Sequence, residues 1–260
     1  MADYIFARKS RNIVSSMLHV FLNLLLGIGS VMITVLSGSP ALGILLVLAS
    51  KWRVFAVRWR YLGVNIKANL VDLIVGLSIV LLTYFSGTTI LPVDFVLAAV
   101  YCIWLIWIKP LSNETAYLVQ SLVAVFLGIS ASVIASATLN PIIIVLAAFL
   151  IGYAASRHIL IQTSDQDFLL TTLVCGLIFA EIAWLCHTWM IVYTFGGTGI
   201  RIPQLAIILT IFAFIYNYTR NAIVKYENDF RFKDILRPII FGVILITIIV
   251  LWFSQPIFNI

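Results

Sequence analysis

Long apolar blocks alternate with short polar connections along almost the whole chain. Blocks of about 18 or more apolar residues are typical of transmembrane helices, whereas a membrane barrel has segments of about ten residues that alternate in polarity. The pattern here is one of blocks. It predicts an all-α, polytopic membrane protein, a bundle of about nine transmembrane helices. The predicted spans are residues 13–35, 41–53, 69–86, 95–108, 114–137, 141–156, 168–190, 203–218 and 238–253.

The connections between these blocks are short, so residues 1–260 are predicted to form a single transmembrane domain without a soluble domain. Hydrophobic residues make up 63% of the chain and charged residues 10%, whereas about a quarter of a soluble domain is charged. Such a chain has too little polar surface to enclose one aqueous core. It also contains no P-loop and no GxGxxG segment, which argues against a nucleotide-driven machine.

The basic residues are distributed unevenly between the two sides of the predicted bundle. With a cytoplasmic N-terminus and nine spans, all of the 16 lysines and arginines except Arg201 lie on the cytoplasmic side. Cytoplasmic loops of membrane proteins carry such an excess of positive charge. The distribution therefore predicts a multi-pass protein of the cell membrane with an external C-terminus. It also accounts for the net charge of +6 without nucleic-acid binding.

The seventh span contains Glu181, an acid at a depth where a charge is unfavourable. It is expected roughly 20 Å into a hydrocarbon core of about 30 Å, in the outer half. Asp94, His187 and Arg201 are predicted on the same side. If these four side chains converge, they form a site for a polar solute or a coupling proton. The alternative is a protonated Glu181 that hydrogen-bonds to a neighbouring helix, with His187 and Arg201 at the lipid headgroups.

On the cytoplasmic side, His19 and Asp72 could form a second polar pair. Asp72 lies in the first turn of the third span, where an acid also suits the positive end of the helix dipole. The sequence favours this capping role for Asp72 over a contact with His19.

Residues 51–67 mix basic and aromatic side chains beside the second span. This mixture predicts contact with anionic lipid headgroups or with an acidic partner, and it also suits an ordinary anchor at the membrane interface. The predicted headgroup contacts are Lys51, Trp52, Arg53, Arg58, Trp59 and Arg60.

The fifth span carries Gly128, Ser132 and Ser136 at four-residue spacing. Small residues at this spacing allow another helix to approach closely. The sequence favours a partner helix within the same chain, and a second copy or another membrane protein is the alternative.

Three classes of function follow from these features. The first is a small-solute or proton-coupled permease with Glu181 as the coupling acid. The second is a structural or assembly subunit, or a membrane protein that binds lipids or partners. The third is an enzyme acting on a lipid-linked substrate with Glu181 and His187 as acid and base. Metalloprotease and serine-hydrolase motifs are absent from the sequence, and no cofactor or metal is expected.

Overall fold

The computed structural model describes residues 2–87, 89–137, 140, 142–161, 168–186, 191–225 and 232–252 of the 260-residue chain. These residues are predominantly helical, so the all-α prediction is confirmed. The first half contains α1 (Ala2–Ser37), α2 (Pro40–Ser50), α3 (Trp52–Phe55), α4 (Trp59–Ala68), α5 (Leu70–Ser86), α6 (Pro92–Ile103) and a π-helical turn (Trp104–Ile108). The second half contains α7 (Glu114–Ser136), α8 (Ile142–Leu160), α9 (Phe168–Cys186), β1 (Val192–Thr194), β2 (Arg201–Pro203), α10 (Gln204–Lys225) and α11 (Phe232–Trp252).

Each predicted span coincides with one of these helices, but the helices differ in length. Within the described ranges, four helices are long and apolar enough to cross a membrane: Ser15–Ser37, Glu114–Ser136, Ile142–Leu160 and Phe168–Cys186. The bent pair α4 and α5 makes a fifth if it counts as one span. Pro40–Ser50, Pro92–Ile108 and Ile235–Leu251 are shorter apolar helices. The structure therefore supports a helical membrane protein, while the number of nine spans stays a prediction.

Local sequence explains where several helices begin. Ser39 accepts a hydrogen bond from the Ala41 N–H at the start of α2, and Pro40 occupies the first helical position. Asn113 accepts from the Ala116 N–H at the start of α7 at 2.7 Å. Such caps satisfy backbone donors that have no partner within the helix.

Helix α7 lies at the centre of the bundle. It packs against α5 on one side and against α8 and α10 on the other. Its most apolar window is 67% buried, compared with 28% for α1 and for α9. One apolar core joins α7 to α8, α9 and α10, and a second joins it to α1, α2, α5 and α6. The molecule is therefore two helical groups that share one buried helix.

The bundle has two chemically different ends, which we name by their contents. The basic end contains Lys51, Asp72 and Lys109. The hairpin end contains β1 and β2, which pair antiparallel with Tyr193 opposite Ile202. Helix α5 connects the two ends, because its 17 residues, Leu70–Ser86, span about 25 Å.

The hairpin turn needs glycine. Gly197 and Gly199 have φ of 72° and 77°, a region that side chains with a Cβ rarely adopt. A Cβ on Gly199 would lie 2.8 Å from the Leu91 side chain. The Val93 N–H donates to the Thr198 carbonyl at 3.1 Å. The turn is thereby fastened to the start of α6.

Candidate functional site at the junction of three helix ends

Asp72 is the centre of a charged cluster at the basic end, and it is largely buried. Its Oδ2 atom accepts from the ammonium groups of both Lys51 and Lys109, the latter at 2.7 Å. Its Oδ1 atom accepts from the Trp104 indole N–H at 3.0 Å. The Lys51 side chain is 4% exposed, whereas that of Lys109 is 44% exposed. Two cations on one carboxylate leave this cluster with one excess positive charge.

Each charged side chain lies at the helix end whose dipole favours the sign of its charge. Lys51 follows the last residue of α2, and Lys109 follows the π-helical turn at the end of α6. Asp72 lies in the first turn of α5. The helix dipole favours cations at C-termini and anions at N-termini. We name this cluster of Lys51, Asp72, Lys109 and Trp104 the charged junction.

The π-helical turn positions two of its members. The Lys109 N–H donates to the Trp104 carbonyl at 2.8 Å, which is the bond that defines this wider turn. Pro110 follows and prevents the helix from continuing. The indole of Trp104 is thus directed at Asp72, one turn before the lysine that pairs with the same carboxylate.

Gln120 of α7 satisfies the carbonyls that this helix end leaves without partners. Its amide Nε2 donates to Ile108 O at 2.8 Å and to Leu111 O at 3.0 Å. Its Oε1 lies 2.7 Å from Nε2 of His158 on α8. The His158 ring also lies 4.9 Å from that of Tyr117, centroid to centroid. The charged junction is therefore tied to the central helix and to α8.

The sequence pattern does not single out Gln120 or His158. The sixth span was predicted to end at residue 156, which placed His158 in a connection. Helix α8 continues to Leu160, so His158 is part of the helix. Lys51 and Lys109 were correctly expected on the same side as Asp72, but nothing in the sequence paired them with that acid.

The predicted contact between His19 and Asp72 is not formed. His19 is exposed on α1, and its Nδ1 atom lies 3.2 Å from Nδ2 of Asn23. Asp72 instead binds the two lysines and Trp104. Asp72 does lie in the first turn of α5, but its carboxylate binds these side chains and not the backbone N–H groups that the predicted capping role requires.

The chain between Lys51 and Asp72 forms an excursion from the bundle. Helices α3 and α4 lie in it, and α4 is bent by 69° relative to α5 at Asn69. The Asn65 amide N–H₂ donates to the Val54 carbonyl at 2.8 Å, which joins α4 to α3. The pair between Lys51 and Asp72 closes the base of this excursion.

Most of the predicted headgroup contacts lie exposed on this excursion. Trp52 is 62% exposed and Trp59 is 87% exposed. Arg53, Arg58 and Arg60 are also exposed. Lys51 is the correction, because it is buried against Asp72 and cannot reach a headgroup in this arrangement.

At the hairpin end, Asp94 is buried and has a local structural task. Its Oδ2 atom accepts from the Leu91 N–H at 2.8 Å, and its Oδ1 atom accepts from the Ser86 hydroxyl at 2.9 Å. The carboxylate thus joins the end of α5 to the start of α6.

Glu181 and Arg201 do not join Asp94. Glu181 is exposed on α9, and Arg201 is exposed on β2. Among the described residues, no ion pair links these three side chains. His187 lies outside the described residues. The expected convergence of the four is therefore not seen among the three that can be located.

The small-residue positions lie within the bundle. A Cβ on Gly128 would lie 2.9 Å from side-chain atoms of both Ile151 on α8 and Ile74 on α5. The Ser132 and Ser136 hydroxyls donate to carbonyls of their own helix at 2.7 Å. Gly128 allows α5 and α8 to approach α7, which is the intramolecular packing that the sequence favoured.

The described residues include no group of three or more His, Cys, Asp or Glu side chains placed to hold a metal ion. Comparison with known proteins found no family model, no curated protein and no solved structure that matches the chain. The fold and the charged junction identify only the class of protein. It is a helical membrane protein with a charged junction at one end of its bundle.

Proposed function

We propose that the chain is a multi-pass membrane protein that binds anionic lipid headgroups through α3 and α4, which the charged junction holds against the bundle. The observation that carries this proposal is the 69° bend between α4 and α5. If α5 stands close to the membrane normal, α4 lies close to the membrane plane. A basic helix in that plane, with aromatic residues beside its charges, is typical of an interfacial lipid contact.

The composition of the exposed surface supports the same conclusion. Arg58 and Arg60 lie beside Trp59 and Tyr61, and the Arg60 guanidinium lies 4.7 Å from the Tyr61 ring centroid. Tryptophan and tyrosine favour the headgroup region, where their rings are amphipathic. Each exposed basic residue near an anionic membrane contributes about 1 kcal/mol. Several such residues on one short segment provide selectivity for anionic lipid.

The charged junction supports the proposal by fixing the two ends of the segment. Lys51 immediately precedes α3, and Asp72 lies just after α4. The excess positive charge and the half-exposed Lys109 face the same end of the bundle. We infer that Lys109 adds to the positive charge that attracts anionic headgroups to this end of the bundle.

The test is lipid binding by the purified full-length protein, measured by native mass spectrometry with phosphatidylglycerol and with phosphatidylcholine. We expect preferential binding of phosphatidylglycerol, weakened by added salt. The double variant R58Q/R60Q removes two charges, about 2 kcal/mol, so its affinity for phosphatidylglycerol should fall roughly 30-fold.

The matched control is R201Q, which removes an exposed arginine at the hairpin end. It should bind phosphatidylglycerol as the wild type does. Equal binding of the two lipids by the wild type, or an equal loss of affinity in R201Q and in R58Q/R60Q, would contradict the proposal.

A permease remains the second candidate, although its supporting residues change. Glu181 is exposed on α9, so it no longer supports a coupling site between helices. What favours transport is the break between α4 and α5, together with two short helices that end at the charged junction. Broken and shortened helices mark substrate sites in many transporters. The enzyme hypothesis also needs His187, which lies outside the described residues.

Transport is tested in proteoliposomes that contain a pH-sensitive dye. If the protein carries protons, an imposed pH gradient should dissipate faster than in empty vesicles, and D72N should abolish the difference. An unchanged rate in D72N, measured at equal protein incorporation, would exclude the charged junction as the coupling site.

A further inference from the structure

Helix α9 presents an acid on an otherwise apolar outer surface. Its exposed face includes Leu177 (53% exposed), Trp184 (62%) and Leu185 (65%), and Glu181 lies among them. In a bilayer this face contacts either lipid or another protein. A carboxylate against acyl chains is unfavourable, and an ion pair with a cation lowers that cost.

The hairpin end of the bundle carries a cation that forms no ion pair among the described residues. Arg201 is exposed on β2, at the hairpin end. Glu181 lies five residues before Cys186, the last described residue of α9, which corresponds to about 7.5 Å along the helix. Glu181 thus lies toward the end of α9 that leads to the hairpin, and among the described residues neither Glu181 nor Arg201 forms an ion pair.

We propose that α9 is the contact surface for a second copy of this chain, with Glu181 of each copy paired to Arg201 of the other. A two-fold axis makes the contact self-complementary, so it forms two identical ion pairs. The occupant is a second copy because the chain itself provides the cation that the acid lacks. The inference is independent of lipid binding at the basic end.

The test counts fluorescently labelled subunits per nanodisc by single-molecule photobleaching. The wild type should give two subunits. In E181R, both contacts join two arginines, and in R201E both join two acids. Each variant alone should therefore show at least a tenfold smaller ratio of two-subunit to one-subunit discs.

Mixing the two variants makes the test specific. In a mixed pair, the new Arg at 181 meets the new Glu at 201, and the native Arg201 meets the native Glu181. Co-expressed E181R and R201E should therefore recover the two-subunit count, as should the double variant E181R/R201E. This recovery also shows that both variants fold.

The matched control is R237E, a reversal of an exposed arginine on α11, which should leave the count at two. A monomeric wild type would overturn the proposal. So would two-subunit discs that persist in E181R, because the proposed ion pairs could not then hold the copies together. Loss of the pair without recovery on mixing would assign Glu181 a partner other than Arg201.

Discussion

From the geometry of the charged junction we expect a large loss of stability when Asp72 loses its charge. In D72N the amide keeps an oxygen that can accept from the Trp104 indole, so the main change is electrostatic. Lys51 is then left buried without a counter-ion, and Lys109 lies beside it. Removing one partner of a buried ion pair costs about 3–5 kcal/mol. We expect D72N to lower the free energy of unfolding by an amount in this range.

The two lysines should differ, because their exposure differs. Lys109 is 44% exposed, and an ion pair in contact with water contributes about 0–1 kcal/mol. K109M should therefore have a small effect. K51M removes a cation whose side chain is 4% exposed, so its effect should be larger. It should still be smaller than that of D72N, since Asp72 keeps Lys109 and Trp104.

The assay is unfolding of the purified protein in mixed micelles with an increasing fraction of denaturing detergent, followed by circular dichroism. The double variant D72N/K51M is the decisive control. It should be more stable than D72N, because it removes the stranded buried cation. The reasoning is refuted if D72N lies within about 1 kcal/mol of the wild type, or if K109M is more damaging than K51M.

Two further predictions use the same assay. G152A places a Cβ 2.6 Å from Cγ of the buried Phe179, so it should lower the free energy of unfolding by about 1–3 kcal/mol. In G63A the new Cβ meets no atom within 4 Å, so this control should be neutral or stabilising. Equal effects of the two variants would contradict the packing argument. D94A removes the acceptor for the Leu91 N–H and the Ser86 hydroxyl, so it should lower the free energy of unfolding by about 1–2 kcal/mol. D94N should have a smaller effect, because its amide keeps one oxygen. An unchanged stability in D94A would contradict this capping role.

Several features could be predicted because they depend on local sequence. The apolar blocks coincide with helices, since hydropathy is a property of each segment alone. Pro92 and Pro110 lie where α6 starts and where its π-helical end stops, because proline restricts the backbone wherever it occurs. The sequence also placed Asp72 in the first turn of a helix.

Other features could not be predicted, because they depend on which face of one helix packs against which face of another. The apolar residues of α9 are spread around its whole circumference, so its sequence does not reveal which face is buried. Glu181 was expected between helices, and it lies on the outer face. Gln120 was not singled out, because its importance comes from carbonyls that another helix end leaves without partners.

The sequence by itself thus determined the class of helical membrane protein, the positions of its helices and the place of Asp72 in the first turn of one of them. These follow from the free energy of transferring each segment from water and from the dipole of each helix. Only the tertiary structure decided that Lys51 and Lys109 share Asp72, and that Asp94 is a cap. A contact between residues far apart in the chain depends on how whole helices pack, and no single segment carries that information.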